Sequence, residues 1–243
     1  MPSTCDVAAQ IRHANATGRI PVVFVGGPWL RPSSWEHWAQ VFAEAGFAPI
    51  IPGRTAGTVA GHITGHITGL ITDHLAGLIA RLERKPAVVG HSTGALLTQI
   101  LAGRGLASTA VAISPVPFRE APPPEPAVAL TYDRFRHAFA GTAGEEEARR
   151  LYETFVTPVP QAPPHELNAT AHDRGPLLFI SGELDRTAPW AVAHAAYEVQ
   201  ARNAHHLTEI VELPGRAHSL TIDNGWREVC GTALTFIQRF ADP

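Results

Sequence analysis

Pro86-Ala-Val-Val-Gly90-His-Ser-Thr-Gly94-Ala-Leu-Leu-Thr-Gln-Ile-Leu-Ala102 decides how this chain folds. Its first residues are a short apolar, β-branched run, and from Thr93 onward the pattern is helical, so a strand passes directly into a helix. The turn between them, Gly90-His-Ser-Thr-Gly94, is a Gly-x-Ser-x-Gly in the setting that gives this motif its meaning. A sharp strand-to-helix turn holds Ser92 in a strained backbone, small residues at 90 and 94 let neighbouring chain come close, and the Thr93 amide faces a reacting oxygen. The helix N-terminus adds a field that favours a developing anion. An ordinary glycine-rich turn is the competing reading, and the partners found further along weigh against it.

Outward from this stretch the same alternation recurs. Ile20-Pro-Val-Val-Phe-Val25, Phe47-Ala-Pro-Ile-Ile51, Ala107 to Ile113, Pro176-Leu-Leu-Phe-Ile180 and Leu207 to Glu212 read as further strands. Trp35 to Gly46, Leu70 to Leu82, Trp190 to Ala201 and Gly225 to Phe240 carry apolar residues at helical spacing. Apolar strands alternating with helices mean an α/β chain with a mostly parallel central sheet of about six strands, covered by helices on both faces. Prolines at 115, 117, 122, 123, 124 and 126 interrupt the alternation. Residues 115–173 therefore read as a small insertion, with short helices at Tyr132–Phe139 and Glu145–Phe155, and residues 1–114 and 174–243 as the core. In open sheets of this kind ligands bind beyond the carboxyl ends of the strands.

A serine hydroxyl is a weak nucleophile without a base, and the base needs an orienting group. Both lie where the sheet should end. Ser181-Gly-Glu-Leu-Asp185-Arg-Thr-Ala-Pro189 follows one strand, and Leu213-Pro-Gly-Arg-Ala-His218-Ser219 follows another. The order Ser92, Asp185, His218 is the one this architecture demands. Glu183 and Asp173 compete with Asp185 for the acid role; Asp185 is favoured by its place in the loop, with Glu183 nearer the sheet and able to face away. Of thirteen histidines, His218 is singled out by position, with Gly215 and Ala217 leaving room for its ring.

Composition narrows the alternatives. The 243 residues are 45 % hydrophobic and 17 % charged, with a formal net charge of −3, which disfavours nucleic acid as a partner. Two cysteines, Cys5 and Cys230, supply neither a disulfide framework nor a Cys-based metal site. With no basic leader followed by an apolar run and no membrane-length apolar segment, a soluble, cytoplasmic protein is expected. His62 and His66 stand at a helical metal-ligand spacing, but flanking glycines weaken the helix and a third ligand is lacking, so neither a metal nor another cofactor is expected. The partner is a small-molecule substrate, and oligomeric state is left open.

Taken together, the run from Pro21-Val25 through Gly90-His-Ser-Thr-Gly94, Gly182-Glu-Leu-Asp185 and His218-Ser-Leu-Thr-Ile-Asp223 resembles the α/β-hydrolase fold superfamily. Within it, the chain is most similar to uncharacterised bacterial members with Pro-Gly-Arg-x-His-Ser-Leu-Thr-Ile-Asp around the histidine. The resemblance implies Ser92 as nucleophile, His218 as general base and acid, Asp185 as its orienter, and residues 115–173 as a cap over the pocket. Gly27, Pro28, His91, Phe118, Tyr132, Phe135 and Ser219 are the expected pocket residues.

One departure from the family pattern changes the chemistry. Members usually carry His-Gly-x after the first core strand, the amide of x being the second oxyanion donor; here the matching residues are Gly26-Gly27-Pro28. Proline has no amide hydrogen, and one lost donor costs about 2.7–4 kcal/mol. Three accounts follow: Trp29 supplies its amide instead, with Thr93 as the other donor; an activated ester, thioester or strained lactone tolerates a half-built hole; or Ser92 and His218 serve a lyase, isomerase or cyclase with no tetrahedral oxyanion. Pro28 as a mere turn-former with Trp29 in the core is the plainest alternative. The aromatic residues Phe118, Tyr132, Phe135, Phe139 and Phe155 suggest a mainly apolar pocket, or simply a docked insertion. The leading expectation is a serine hydrolase for a small apolar ester, lactone or thioester; its rivals are a cofactor-free non-hydrolytic enzyme and a catalytically silent binding protein.

Overall fold

Among the described residues six parallel strands lie in the order β2-β1-β3-β4-β5-β6, each hydrogen-bonded to the next. The computed structural model describes residues 6–27, 29–53, 66–116, 130–157 and 173–241. The strands are β1 (Pro21–Val25), β2 (Ala48–Ile50), β3 (Ala87–His91), β4 (Thr109–Ile113), β5 (Leu177–Gly182) and β6 (Thr208–Leu213). In β1, β3, β4 and β5 every residue is buried, which is why they read as unbroken apolar runs with no polar alternation. β6, at the edge, is only half buried until Leu213.

Successive side chains point to opposite faces and enter separate cores. On one face Val22, Phe24, Val89, Val111 and Ile180 meet Trp38 and Phe42 of α2 (Glu36–Glu44) and Val229, Ala233 and Phe236 of α8 (Trp226–Gln238). On the other, Val23, Val88, Ala110 and Phe179 meet Leu75 and Leu78 of α3 (His66–Ile79) and Leu97 and Leu101 of α4 (Thr93–Gly103). The second face also receives Ile11 and Ala14 of α1 (Val7–Thr17), a helix the periodicity reading overlooks. Its signals are local: Asp6 caps it by accepting from the Ala9 amide, and Gly18 ends it at φ 64°. α7 (Trp190–Ala201) packs between β5 and β6 on this face through Ala196 and Tyr197.

Between β4 and β5 the chain builds a third apolar cluster of its own. It contains Leu130, Phe135, Phe139, Leu151, Phe155 and Val156, and the core residues Leu30 and Ile222 join it. Tyr132–Phe139 is not one α-helix as expected: three α-helical residues, α5 (Tyr132–Arg134), pass into a π-helical turn over Phe135–Phe139, where the Ala140 amide donates to the Phe135 carbonyl at 2.8 Å. The wider turn lets Phe135 and Phe139 stack at 5.2 Å and bury together. α6 (Glu145–Phe155) follows, with three glutamates in its first turn as the helix dipole favours. Its end is pinned to the core: Leu30 bridges Val156, the Arg31 amide donates to Phe155, the Thr157 amide donates to Trp29, and the Arg31 guanidinium caps the Glu153 and Thr154 carbonyls.

An aromatic block of Phe24, Trp35, Trp38 and Phe42 supports the loop that follows β6. Its rings meet at 5.2–6.4 Å in tilted and edge-to-face pairs, each worth about 0.5–1.5 kcal/mol beyond burial. Trp38 Nε1 donates to the Thr221 carbonyl at 2.9 Å inside the core. Trp38→Phe keeps an aromatic ring but orphans that carbonyl, so urea unfolding is expected to show a loss of about 1–3 kcal/mol; an unchanged midpoint would refute this role.

Candidate active site

Backbone sterics at the end of β3 explain why two glycines flank Ser92. A Cβ at Gly90 would run into Gly94 and Thr98 Oγ1, and one at Gly94 would overlap the Val25 carbonyl of β1. With that space free, Ser92 takes φ 59°, ψ −121°, a conformation costing about 1–3 kcal/mol for a residue with a side chain. Its amide is satisfied by the Ile113 carbonyl at 2.9 Å. α4 starts at the next residue, Thr93, so the first-turn dipole bears on the Ser92 side chain. Gly27 lies against the same turn, 3.8 Å from Ser92 and Thr93 by a notional Cβ.

Three side chains from three strand ends converge here. Ser92 Oγ donates toward His218 Nε2 at 3.0 Å, and His218 Nδ1 meets Asp185 Oδ2 at 2.7 Å. All three are buried, with Ser92 6 % exposed and His218 fully enclosed. Asp185 Oδ1 accepts the Thr187 and Ala188 amides at 2.8 and 2.7 Å, an Asx-type turn consistent with the Asp-Arg-Thr-Ala-Pro run. Burial pushes the Asp185 carboxyl up, but the His218 ring beside it and the Ala188 amide outweigh this and hold it below the usual carboxylate range. The carboxylate is therefore charged and single-purposed at neutral pH. A hydroxyl, an imidazole and a carboxylate so linked can move a proton from Ser92 to His218 while Asp185 stabilises the resulting imidazolium.

The rival acids lie elsewhere. Glu183 Oε2 accepts the Gly215 amide at 2.8 Å on the exposed side of the two loops, and Asp173 sits exposed beside Gly105. The His218 loop is closed by a second carboxylate: Asp223 accepts from Ser219 Oγ at 3.1 Å and the Gly225 amide at 3.0 Å, with Arg216 3.8 Å away. Ser219, expected on the pocket wall, is thus a fully buried loop strut. Phe135 is likewise enclosed in the third cluster. Tyr132 faces outward, its hydroxyl donating to Glu145 and its ring under Arg149. His91 is buried with its ring 4.7 Å from His218, away from open space. Pro28, Phe118 and His62 lie outside the described residues.

Phe139, one of the aromatic residues expected in an apolar pocket or a docked insertion, touches the histidine itself. Its ring meets His218 edge-on at 4.4 Å and 85°, so the segment between β4 and β5 supplies one wall of the histidine. Nothing in sequence separates Phe139 from its neighbour Phe135; only the π-helical turn does. Among the described residues no group of His, Cys, Asp and Glu is placed to hold a metal ion, and no helix is long and apolar enough to cross a membrane.

His91 gives the site an acid limit. Burial first, then the neighbouring His218 ring, lowers its pKa from 6.5 to about 3. Between those values the unfolded chain binds a proton that the folded chain does not, so the stability from neutral His91 is complete above pH 6.5 and drains as pH falls toward 3. From pH 6.5 to 5, urea unfolding is expected to show about 1–2 kcal/mol more loss for the wild type than for His91→Phe; parallel losses would contradict it.

The sequence matches the model of the alpha/beta hydrolase family over residues 22–232. No curated protein matches by sequence. Among solved structures, a methylesterase from Arabidopsis is similar at 18 % identity, covering 90 % of this chain and 99 % of its own, with a TM-score of 0.66. A monoacylglycerol lipase from Paleococcus ferrophilus is similar at 18 % identity, with 91 % and 95 % covered and a TM-score of 0.68. A pyrethroid hydrolase from Sphingobium faniae is similar at 16 % identity, with 90 % and 97 % covered and a TM-score of 0.66.

Proposed function

The chain belongs to the alpha/beta hydrolase family, and from that premise we propose that it is a serine hydrolase for a small apolar ester, lactone or thioester. The observation that carries the reading is the buried, continuous chain of contacts from Ser92 Oγ through His218 to Asp185. Ser92 attacks the acyl carbon as His218 Nε2 takes its proton; His218 returns that proton to the leaving group, leaving acyl-Ser92. Water then attacks the acyl carbon, again losing a proton to His218, and the acid departs as Ser92 is re-protonated. No cofactor is required.

The developing oxyanion takes its hydrogen bonds from the amides of Thr93 and Trp29 on this reading, because Pro28 has none to give. Trp29 is held by its carbonyl, which accepts the Thr157 amide at 2.6 Å. The end of α6 therefore bears on the strand of chain that carries the second donor. Residues 115–173 act as the cap. Phe139 over His218, with Leu30 and Ile222 in the adjoining cluster, favours an apolar acyl or alcohol group. The low exposure of Ser92 favours a small one. The methylesterase and the lipase among the structures of this fold agree with an ester. Two cysteines, Cys5 and Cys230, too few for a disulfide framework, support a reducing compartment on this reading.

A fluorophosphonate probe followed by peptide mass mapping tests the proposal. Stoichiometric labelling of Ser92, lost in His218→Ala, is expected; a folded protein that does not label would defeat it. Pro28 keeps a second reading in play, a cofactor-free lyase, isomerase or cyclase. Turnover of p-nitrophenyl acetate separates the two: with Trp29 already donating, wild type turns the ester over and Pro28→Leu leaves the rate unchanged, whereas a gain of roughly 10- to 100-fold in the variant would overturn the Trp29 assignment. Ester turnover absent from both proteins, with Ser92 still labelled, would favour the non-hydrolytic reading.

A further inference from the structure

We infer that His91, the residue inside the Gly-x-Ser-x-Gly turn, is a positioning residue that ties the general base to the nucleophile. The inference rests on the serine hydrolase reading and extends it to a residue that touches neither substrate nor the reacting atoms.

The geometry has three parts. His91 Nε2 lies 2.9 Å from the main-chain carbonyl of His218. A carbonyl only accepts, so Nε2 carries the hydrogen and Nδ1 is a bare acceptor. Nδ1 is buried in the core, and the bond from Nε2 ties the His91 side chain to the main chain of the base. The His91 ring also stands 4.7 Å from the His218 ring at 43°, while Phe139 closes on both, at 5.8 Å from His91 and 4.4 Å from His218. Finally, the peptide after His218 is held from the other side, where the Ser219 amide donates to the Phe139 carbonyl at 2.9 Å.

His218 thus has its carbonyl held by the residue immediately before Ser92, its following amide held by Phe139, and its ring packed against both. The side chain at 91 leaves the sheet one position ahead of the strained serine. Any shift of the elbow carries the base with it, which keeps the 3.0 Å spacing between Oγ and Nε2. The titratable groups that face His91 are His218 and Asp185. Protonated His91 would stand against the imidazolium that forms at His218 in each proton transfer, so the arrangement works only with His91 neutral, the state its burial enforces.

Two substitutions separate this role from packing. His91→Phe keeps an aromatic ring and loses the donor; His91→Gln keeps an N–H at comparable reach. With p-nitrophenyl butyrate as substrate, His91→Phe is expected to lower kcat about 10- to 100-fold at nearly unchanged KM, the cost of a base displaced by a fraction of an ångström to one ångström. Fluorophosphonate labelling of Ser92 should slow in parallel, and His91→Gln should recover most of the loss. Wild-type rates in folded His91→Phe, or equal losses in both variants, overturn the inference while wild-type labelling leaves the hydrolase reading standing. Absence of labelling in the wild type overturns both. Nitrogen-15 NMR of the wild-type histidines provides a readout free of mutation. His91 is expected in the Nε2–H form, unchanged from pH 5 to 8, and an Nδ1–H form or a titration in that range would also overturn the assignment.

Discussion

The close approach of β1 to the start of α4 is the constraint on which the site depends. Gly94 rests where a Cβ would overlap the Val25 carbonyl, and Gly90 where one would overlap Gly94. Only that contact lets the chain reverse within one residue and leaves Ser92 at φ 59°. Strain of about 1–3 kcal/mol persists because β3 is bonded on both sides and wholly buried. Ser114, at the end of the adjacent β4, also has a positive φ of 45°, and its amide continues the sheet by donating to the Ile180 carbonyl at 2.7 Å. Among the described residues, the two non-glycine residues with positive φ thus lie where neighbouring strands end.

Around this fixed serine the other two groups are held by loops that brace each other. The Glu183 amide donates to Leu213, the Leu184 amide to Arg216, and the Glu183 carboxylate accepts from Gly215, so the acid loop and the histidine loop move as one. Asp185 and Asp223 look alike in sequence but are driven in opposite directions. Burial raises the Asp223 carboxyl despite the Gly225 amide, Ser219 and Arg216, whereas at Asp185 the His218 ring and the Ala188 amide outweigh burial and keep it low. Asp223 closes the turn of residues 219–225, while Asp185 faces the His218 ring.

The segment between β4 and β5 is tied to both halves of this arrangement. Phe139 packs on the histidine, Glu147 holds the Asn224 amide and side chain at the end of the histidine loop, and the end of α6 pairs with residues 29–31. A displacement of α6 would reach Trp29 and the His218 loop together.

Much of this was legible in the chain because burial on both faces leaves strands as bare apolar runs, and because Ser92, Asp185 and His218 each follow such a run directly. All six strands are found within a few residues of their expected bounds, and α7 and α6 match theirs. What escaped is set by packing. α1 is weakly amphipathic and is recognised by its caps at Asp6 and Gly18. The π-helical turn that sends Phe139 to the histidine and Phe135 into the cluster leaves no mark in periodicity. Ser219 follows His218 and is expected in the pocket, yet the turn geometry of residues 219–223 directs its hydroxyl to Asp223.

Asp185 and His218 share a short, buried hydrogen bond, which on the proposed reading prepares His218 to accept the Ser92 proton. Proton NMR of the protein with nitrogen-15-labelled histidine tests it most directly. The account predicts one strongly deshielded proton bonded to His218 Nδ1, lost in Asp185→Ala while the fold persists. A folded wild type without that resonance, or the same resonance surviving in Asp185→Ala, would contradict it.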